Sequence, residues 1–187
     1  MRYPCRPWLH LMGIAPFNPS YALHSFHDLE NRMQWSDVLA EPTLRDLPFK
    51  IELNQWGMIE MSPASTWHGS RQTKVIQYLT RKLANGEILT EPAIQTIIGV
   101  RVPDVGWRSA LAQQTHGYLS PLPLAPEICV EVLSSSNTDA EMSAKRGAYF
   151  AAGAQEVWLV ADDSAITVYT RDGLRPASTI VGEAPVL

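Results

Sequence analysis

The sequence predicts one domain of α/β or α+β type, and three observations carry that prediction. Residues 128–161 read as strand, helix, strand, a short crossover that should be right-handed and set its two strands parallel. Between Thr66 and Leu83, apolar residues recur at three and four positions among a series of short strand candidates. The 187 residues are 45% hydrophobic and 18% charged, enough to bury one core without a staple and too apolar for disorder. Cys5 and Cys129 lie too far apart for a local zinc knuckle and make no disulfide framework. The early apolar run Leu9 to Pro16 is about half a membrane span. It lacks a signal-peptide cleavage pattern, so a soluble cytoplasmic protein is expected.

Each element follows from local pattern. Pro4, Pro7, Pro16 and Pro19 forbid a long helix, so residues 1–23 read as an irregular proline-rich extension before one domain over 24–187. Phe26, Leu29, Met33 and Val38 suggest one or two helical turns between His24 and Leu39, ended by Pro42. Alternation over Phe49 to Leu53 and Gly57 to Met61 predicts two strands joined by a turn at Asn54 to Gly57. Ser62-Pro63 stops the second. A helix from Thr66 or Trp67 to Leu83 buries Val75, Ile76, Leu79 and Leu83 and ends at Asn85-Gly86. Glu87 to Glu91, Ile94 to Ile98 and Arg101 to Trp107 read as strands. Ser109 to Pro126 is a long connection holding a short helix or a mobile lid. Ile128 to Leu133 is apolar on both faces apart from Glu131, the pattern of a central covered strand. Thr138 and Glu141 form a capping-box pattern for a helix to about Ala152, ended by Gly153. Glu156 to Ala161 and Ala165 to Tyr169 are further strands, with turns at Asp162-Asp163 and Asp172-Gly173.

A net charge of −4 weighs mildly against a surface built wholly for nucleic acid, but the charge is unevenly spread. Residues 62–86 hold Arg71, Lys74, Arg81 and Lys82 and no acid. Arg71, Lys74, Tyr78 and Arg81 share one helical spacing, which reads either as a solvated face or as a basic surface for a phosphate backbone. Glu131 costs several kcal/mol in its strand unless it is paired or ligates a metal. Asp104 in Val102-Pro103-Asp104-Val105 is either a turn residue or a second acid near a strand. Two such carboxylates can hold one hard divalent cation. Glu52 is a candidate third carboxylate, with Glu60 nearby. Lys145, linked with Tyr149 to Glu131 by one strand–helix unit, is an exposed lysine or a group that positions water, deprotonates it or holds a phosphate. Gly147 beside it suggests close packing, phosphate approach or nothing. His68 begins the basic helix. Zinc spacing, a glycine-rich phosphate loop, a nucleophile elbow and a dinucleotide fingerprint are all missing from the sequence.

Glu52 to Pro63 (ELNQWGMIEMSP), His68, Pro103-Asp104-Val105, Glu131-Val132-Leu133-Ser134, Lys145, Tyr149 and Gly153 to Val160 (GAQEVWLV) together resemble the Uma2 family. That family of restriction endonucleases belongs to the PD-(D/E)XK nuclease superfamily, and the resemblance covers roughly residues 25–187. It implies a restriction-endonuclease-like mixed β-sheet core flanked by helices. It also implies a Mg²⁺ or Mn²⁺ site at Asp104 and Glu131, helped by Glu52, with Lys145 assisting and His68 bracing an acid. Leu133 stands where the superfamily motif places its lysine, so Lys145 on the following helix takes that part. The substrate implied is DNA, its backbone met by Arg71, Lys74 and Arg81 and a base or sugar by Tyr78, with a homodimer as a route to double-strand cleavage. Relatives continue past the position of Leu187 through a short apolar segment. Two other readings stand beside this one: an inactive nucleic-acid-binding or structural member of the fold, and a metal-dependent hydrolase of a small phosphoester.

Overall fold

The computed structural model of the protein describes residues 32–63 and 65–187. The chain divides into Met1–Arg32 and Met33–Leu187, and the second is described here. The expected extension over residues 1–23, and Phe26 and Leu29 of the first helical pattern, lie outside the described residues. The remainder of that pattern forms α1 (Trp35–Ala40), followed by a 3-10 turn at Pro42–Leu44.

Ten strands make two sheets among the described residues. The smaller contains β1 (Phe49–Asn54), β2 (Ile59–Pro63), β4 (Ile94–Thr96) and β5 (Gly99–Arg101), antiparallel throughout in the order β2-β1-β5-β4. The larger contains β3 (Gly86–Thr90), β6 (Val105–Ser109), β7 (Ile128–Val132), β8 (Glu156–Val160), β9 (Ile166–Thr170) and β10 (Gly173–Arg175), in the order β10-β9-β8-β7-β6-β3. β7 and β8 are parallel, with Glu131 opposite Leu159, and the helix α4 (Asp139–Ala151) crosses between them as the sequence pattern requires. The other neighbours in this sheet are antiparallel, so the core is a mixed sheet with helices on it.

Two helices cover the large sheet, one on each face. α2 (Thr66–Lys82) is capped by the Ser65 hydroxyl, which accepts the His68 N–H. Its Val75, Tyr78 and Leu79 pack with Val105, Trp107, Val130, Val132 and Trp158. α4 is capped by Thr138, whose hydroxyl accepts the Glu141 N–H. Its Met142 and Tyr149 pack with Cys129, Val157 and Leu159. Period two along β7 thus turns Val130 and Val132 toward α2 and leaves Cys129 and Glu131 for the α4 side. Among the described residues no helix is long and apolar enough to cross a membrane.

Two expectations change. Arg101 to Trp107 is not one strand: β5 ends at Arg101 in the small sheet and β6 begins at Val105 in the large one. Pro103 has no N–H for a ladder, so the chain breaks there and crosses between sheets. The Ser109 to Pro126 connection contains α3 (Ala110–His116), a short helix capped by the Ser109 hydroxyl.

Gly99 marks the tightest backbone approach in the small sheet. Its φ is +106°, and a Cβ there would sit 2.1 Å from the Leu53 carbonyl oxygen on β1. Gly99→Ala is therefore expected to cost on the order of 3 kcal/mol, read from urea unfolding. A loss comparable to an ordinary surface substitution would contradict this packing.

Candidate functional site

Five elements deliver charged side chains to one end of the large sheet. On β1, Lys50 and Glu52 are two residues apart and share a face. Glu131 comes from β7, Asp104 from the link between β5 and β6, His68 from the first turn of α2, and Lys145 and Tyr149 from successive turns of α4. Asp104, Glu131, Glu52 and Lys145 are all buried. Lys50, His68, Asp104, Glu131 and Lys145 floor an open cleft of about 500 Å³ whose rim includes Ser62, Ser65, Ser134, Ser136 and Asn137.

Asp104 is tied to β7 at two points. Its N–H donates to the Val130 carbonyl at 2.9 Å, and its Oδ2 accepts the Val132 N–H at 2.6 Å. Its other oxygen, Oδ1, meets Lys50 Nζ at 2.7 Å and His68 Nε2 at 3.0 Å. Glu131 is arranged alike. Tyr149 donates its hydroxyl to Oε1 at 2.6 Å, while Oε2 faces Lys50 Nζ at 3.4 Å. Each acid therefore has one oxygen bonded to the surrounding frame and the other turned to Lys50, with His68 sharing the Asp104 oxygen.

Lys145 lies between Glu131 and Glu52, 3.5 Å from Glu131 Oε1 and 3.0 Å from Glu52 Oε2. Glu52 also accepts the Val102 N–H at 2.8 Å and faces Arg101 Nη1 at 3.2 Å. Arg101 in turn pairs with Glu60, which accepts from Asn54 at 3.2 Å.

The electrostatics separate the two principal acids. Burial alone would raise the Asp104 carboxyl, but His68 and Lys50 beside it hold it below the usual range. Burial pushes the Glu131 carboxyl up, and Lys50 and Lys145 do not fully offset that, with Asp104 and Glu52 adding repulsion. Burial would also drive both lysines down. The surrounding acids, Glu131 foremost, outweigh it and hold both ammonium groups above their ordinary range. A raised ammonium favours Lys145 as a positive charge over the proton-abstracting role also expected for it.

Asp104, Glu131, Glu52, Lys145 and His68, named from sequence, come together in space. Glu52 is nonetheless separated from the acid pair by Lys145, and both its oxygens are engaged. Among the described residues no three His, Cys, Asp or Glu side chains form a metal-holding group. The structure places Glu52, expected as a third metal carboxylate, against Lys145 and Arg101.

The four residues expected to form a nucleic-acid face on α2 are placed differently from one another. Tyr78 is buried and donates its hydroxyl to Glu183 at 3.1 Å. It lies three residues after Val75, so it joins the buried stripe. Arg71 donates to the Ser164 hydroxyl and the Asp162 carbonyl. Lys74 and Arg81 are exposed, with Arg81 about 20 Å along the helix from His68. A Cβ on Gly147 would meet nothing within 4 Å, so that glycine answers no close packing.

Lys50 and Arg101 were missed. The signal for Lys50 was present, since period two puts it on the Glu52 face. Arg101 carried none, because its role depends on which sheet its strand joins.

Residues 35–185 match the Uma2 family model, described as "Putative restriction endonuclease". The chain is also similar to the crystal structure of a "putative nuclease" from Anabaena variabilis, with 16% identity, a TM-score of 0.62 and coverage of 78% of this chain and 87% of that one. No curated protein matches the chain.

Two outcomes follow from the buried charges. Lys145→Met leaves Glu52 and Glu131 short of a cation and is expected to cost about 3 kcal/mol in urea unfolding at neutral pH. A carboxyl raised in the folded state binds its proton more tightly there than in the unfolded chain, so its stabilising contribution is lost as pH rises through the raised value. Relative to Glu131→Gln, the wild-type protein without divalent ions should therefore lose stability as pH climbs above the ordinary 4.5 of that carboxyl. Urea midpoints of both proteins across pH check the sign, and a wild-type midpoint that rose relative to Glu131→Gln with increasing pH would contradict it.

Proposed function

Because the chain belongs to the Uma2 family, we propose that it is a metal-dependent endonuclease that hydrolyses phosphodiester bonds in DNA. The observation that carries this reading is the convergence of Asp104 Oδ1 and Glu131 Oε2 on one cation position, with Lys145 beside them. The donor set fits a hard divalent ion, which takes carboxylate oxygens and completes its shell with water and phosphate oxygens. Asp104 and Glu131 would hold Mg²⁺ or Mn²⁺. The bound ion would supply water activation and neutralise charge at the attacked phosphate.

The chain's own residues do the rest. His68 and the Val132 N–H orient Asp104, and Tyr149 orients Glu131, so neither acid has to reorganise when a ligand arrives. Lys145 stays protonated, keeps Glu131 in place and adds a positive charge beside the attacked phosphate. Glu52 and Arg101 position Lys145. One such centre cuts one strand, so cleavage of both strands calls for two copies acting together.

The experiment is cleavage of plasmid and oligonucleotide DNA with Mg²⁺ or Mn²⁺. Asp104→Asn and Glu131→Gln should each lower the rate by roughly 10²–10³-fold, and Tyr149→Phe by about 10-fold. A chelator should abolish it. Cleavage that survives chelation or both acid substitutions would refute the reading. Turnover of a small phosphoester that ignores salt, with no DNA cleavage, would favour the small-substrate hydrolase, since engagement of duplex DNA weakens steeply as salt rises.

A further inference from the structure

Lys50 holds the place that a metal ion would need. Its ammonium is 2.7 Å from Asp104 Oδ1 and 3.4 Å from Glu131 Oε2. The second oxygen of each acid is already committed, Asp104 Oδ2 to the Val132 N–H and Glu131 Oε1 to the Tyr149 hydroxyl. The geometry points to Lys50 as a built-in counterion that a divalent cation must displace. This inference rests on the metal-dependent reading above.

Charge arithmetic favours the exchange. Asp104, Glu131 and Lys50 together carry −1, whereas the same two acids with a divalent ion are neutral. A neutral centre admits a phosphate more readily than an anionic one. Lys145 is differently held, because Glu52 grips it through both oxygens and it meets Glu131 only on the oxygen that Tyr149 occupies. Displacement therefore falls on Lys50. Its side chain is 12% exposed and lines the open cleft opposite Ser62 on β2. A flexible four-carbon stem lets the released ammonium stay within that cleft as a point charge for a phosphate oxygen. The lysine thus serves the acids before the ion binds and the substrate afterwards.

The test measures binding rather than cleavage. Mn²⁺ is titrated calorimetrically into the wild-type protein, Lys50→Met and Asp104→Asn. In parallel, lysine acetylation of the wild type by an activated ester is read residue by residue by mass spectrometry, with and without Mg²⁺, using exposed Lys74 as the internal standard. Lys50→Met should bind Mn²⁺ roughly tenfold more tightly, the effect of losing one partly buried competing ion pair. Lys50 in the wild type should become several-fold more reactive when Mg²⁺ is present, while Lys145 does not change. Equal Mn²⁺ affinities, or a Lys50 that stays protected with the ion bound, would overturn the displacement and leave the nuclease reading standing. Absence of any Mn²⁺ binding that Asp104→Asn abolishes would overturn both. The acetylation arm needs no substitution, so it decides the matter even if Lys50→Met fails to fold.

Discussion

Charges cannot be buried alone, and the organisation of this protein around its cleft follows from that constraint. From His68 the series runs through Asp104, Lys50, Glu131, Lys145, Glu52 and Arg101 to Glu60, and past the histidine the signs alternate at every step. The residues come from α2, the β5–β6 link, β1, β7, α4, β1 again, β5 and β2. Lys50 reaches from the small sheet to acids at the large one, and Lys145 reaches back from α4 to the small sheet. The series therefore ties the two sheets together by charge, beside the apolar contact of Ile94 on β4 with Cys129, Met142 and Tyr149. Removing any interior member leaves two neighbours short of a counterion, which couples stability to site chemistry here.

Much of the frame was legible because local pattern decides it. β7 announced itself by an unbroken apolar run, α4 by its Thr138 cap, and the parallel β7–β8 pair by the length of the crossover. Glu131 stood out for the same reason, as the one polar residue in a strand buried on both sides. What stayed hidden depends on pairing between distant segments. Lys50 meets Asp104 and Glu131 across long stretches of chain, and no window of sequence contains both partners. The division of Arg101 to Trp107 between two sheets was equally silent, although Pro103 lies at the break.

The basic stretch of residues 62–86 shows how charge along a chain differs from charge in space. Arg71 is spent on the turn between β8 and β9, and Lys82 pairs with Glu183 at 2.8 Å. Tyr78 belongs to the core. The helix delivers His68 to Asp104 from its capped end, where its backbone is best fixed. Of the four basic residues in this stretch, Arg71 and Lys82 are engaged within the protein and Lys74 and Arg81 are exposed.

Under the proposed metal-dependent reading, the two-point tether of Asp104 also bears on ion selectivity. The Val130 carbonyl and Val132 N–H fix this residue to the strand that carries Glu131, so the spacing of the acids is set by β-sheet geometry and not by side-chain rotamers. One oxygen of each carboxylate is already committed, so an ion between them finds two single-oxygen ligands and no bidentate grip. A large cation such as Ca²⁺ is held by many protein oxygens in a flexible shell, whereas a small one such as Mg²⁺ keeps most of its water and needs only one or two carboxylates. If the proposed metal-dependent reading holds, two single-oxygen ligands of this kind suit the smaller, more hydrated ion.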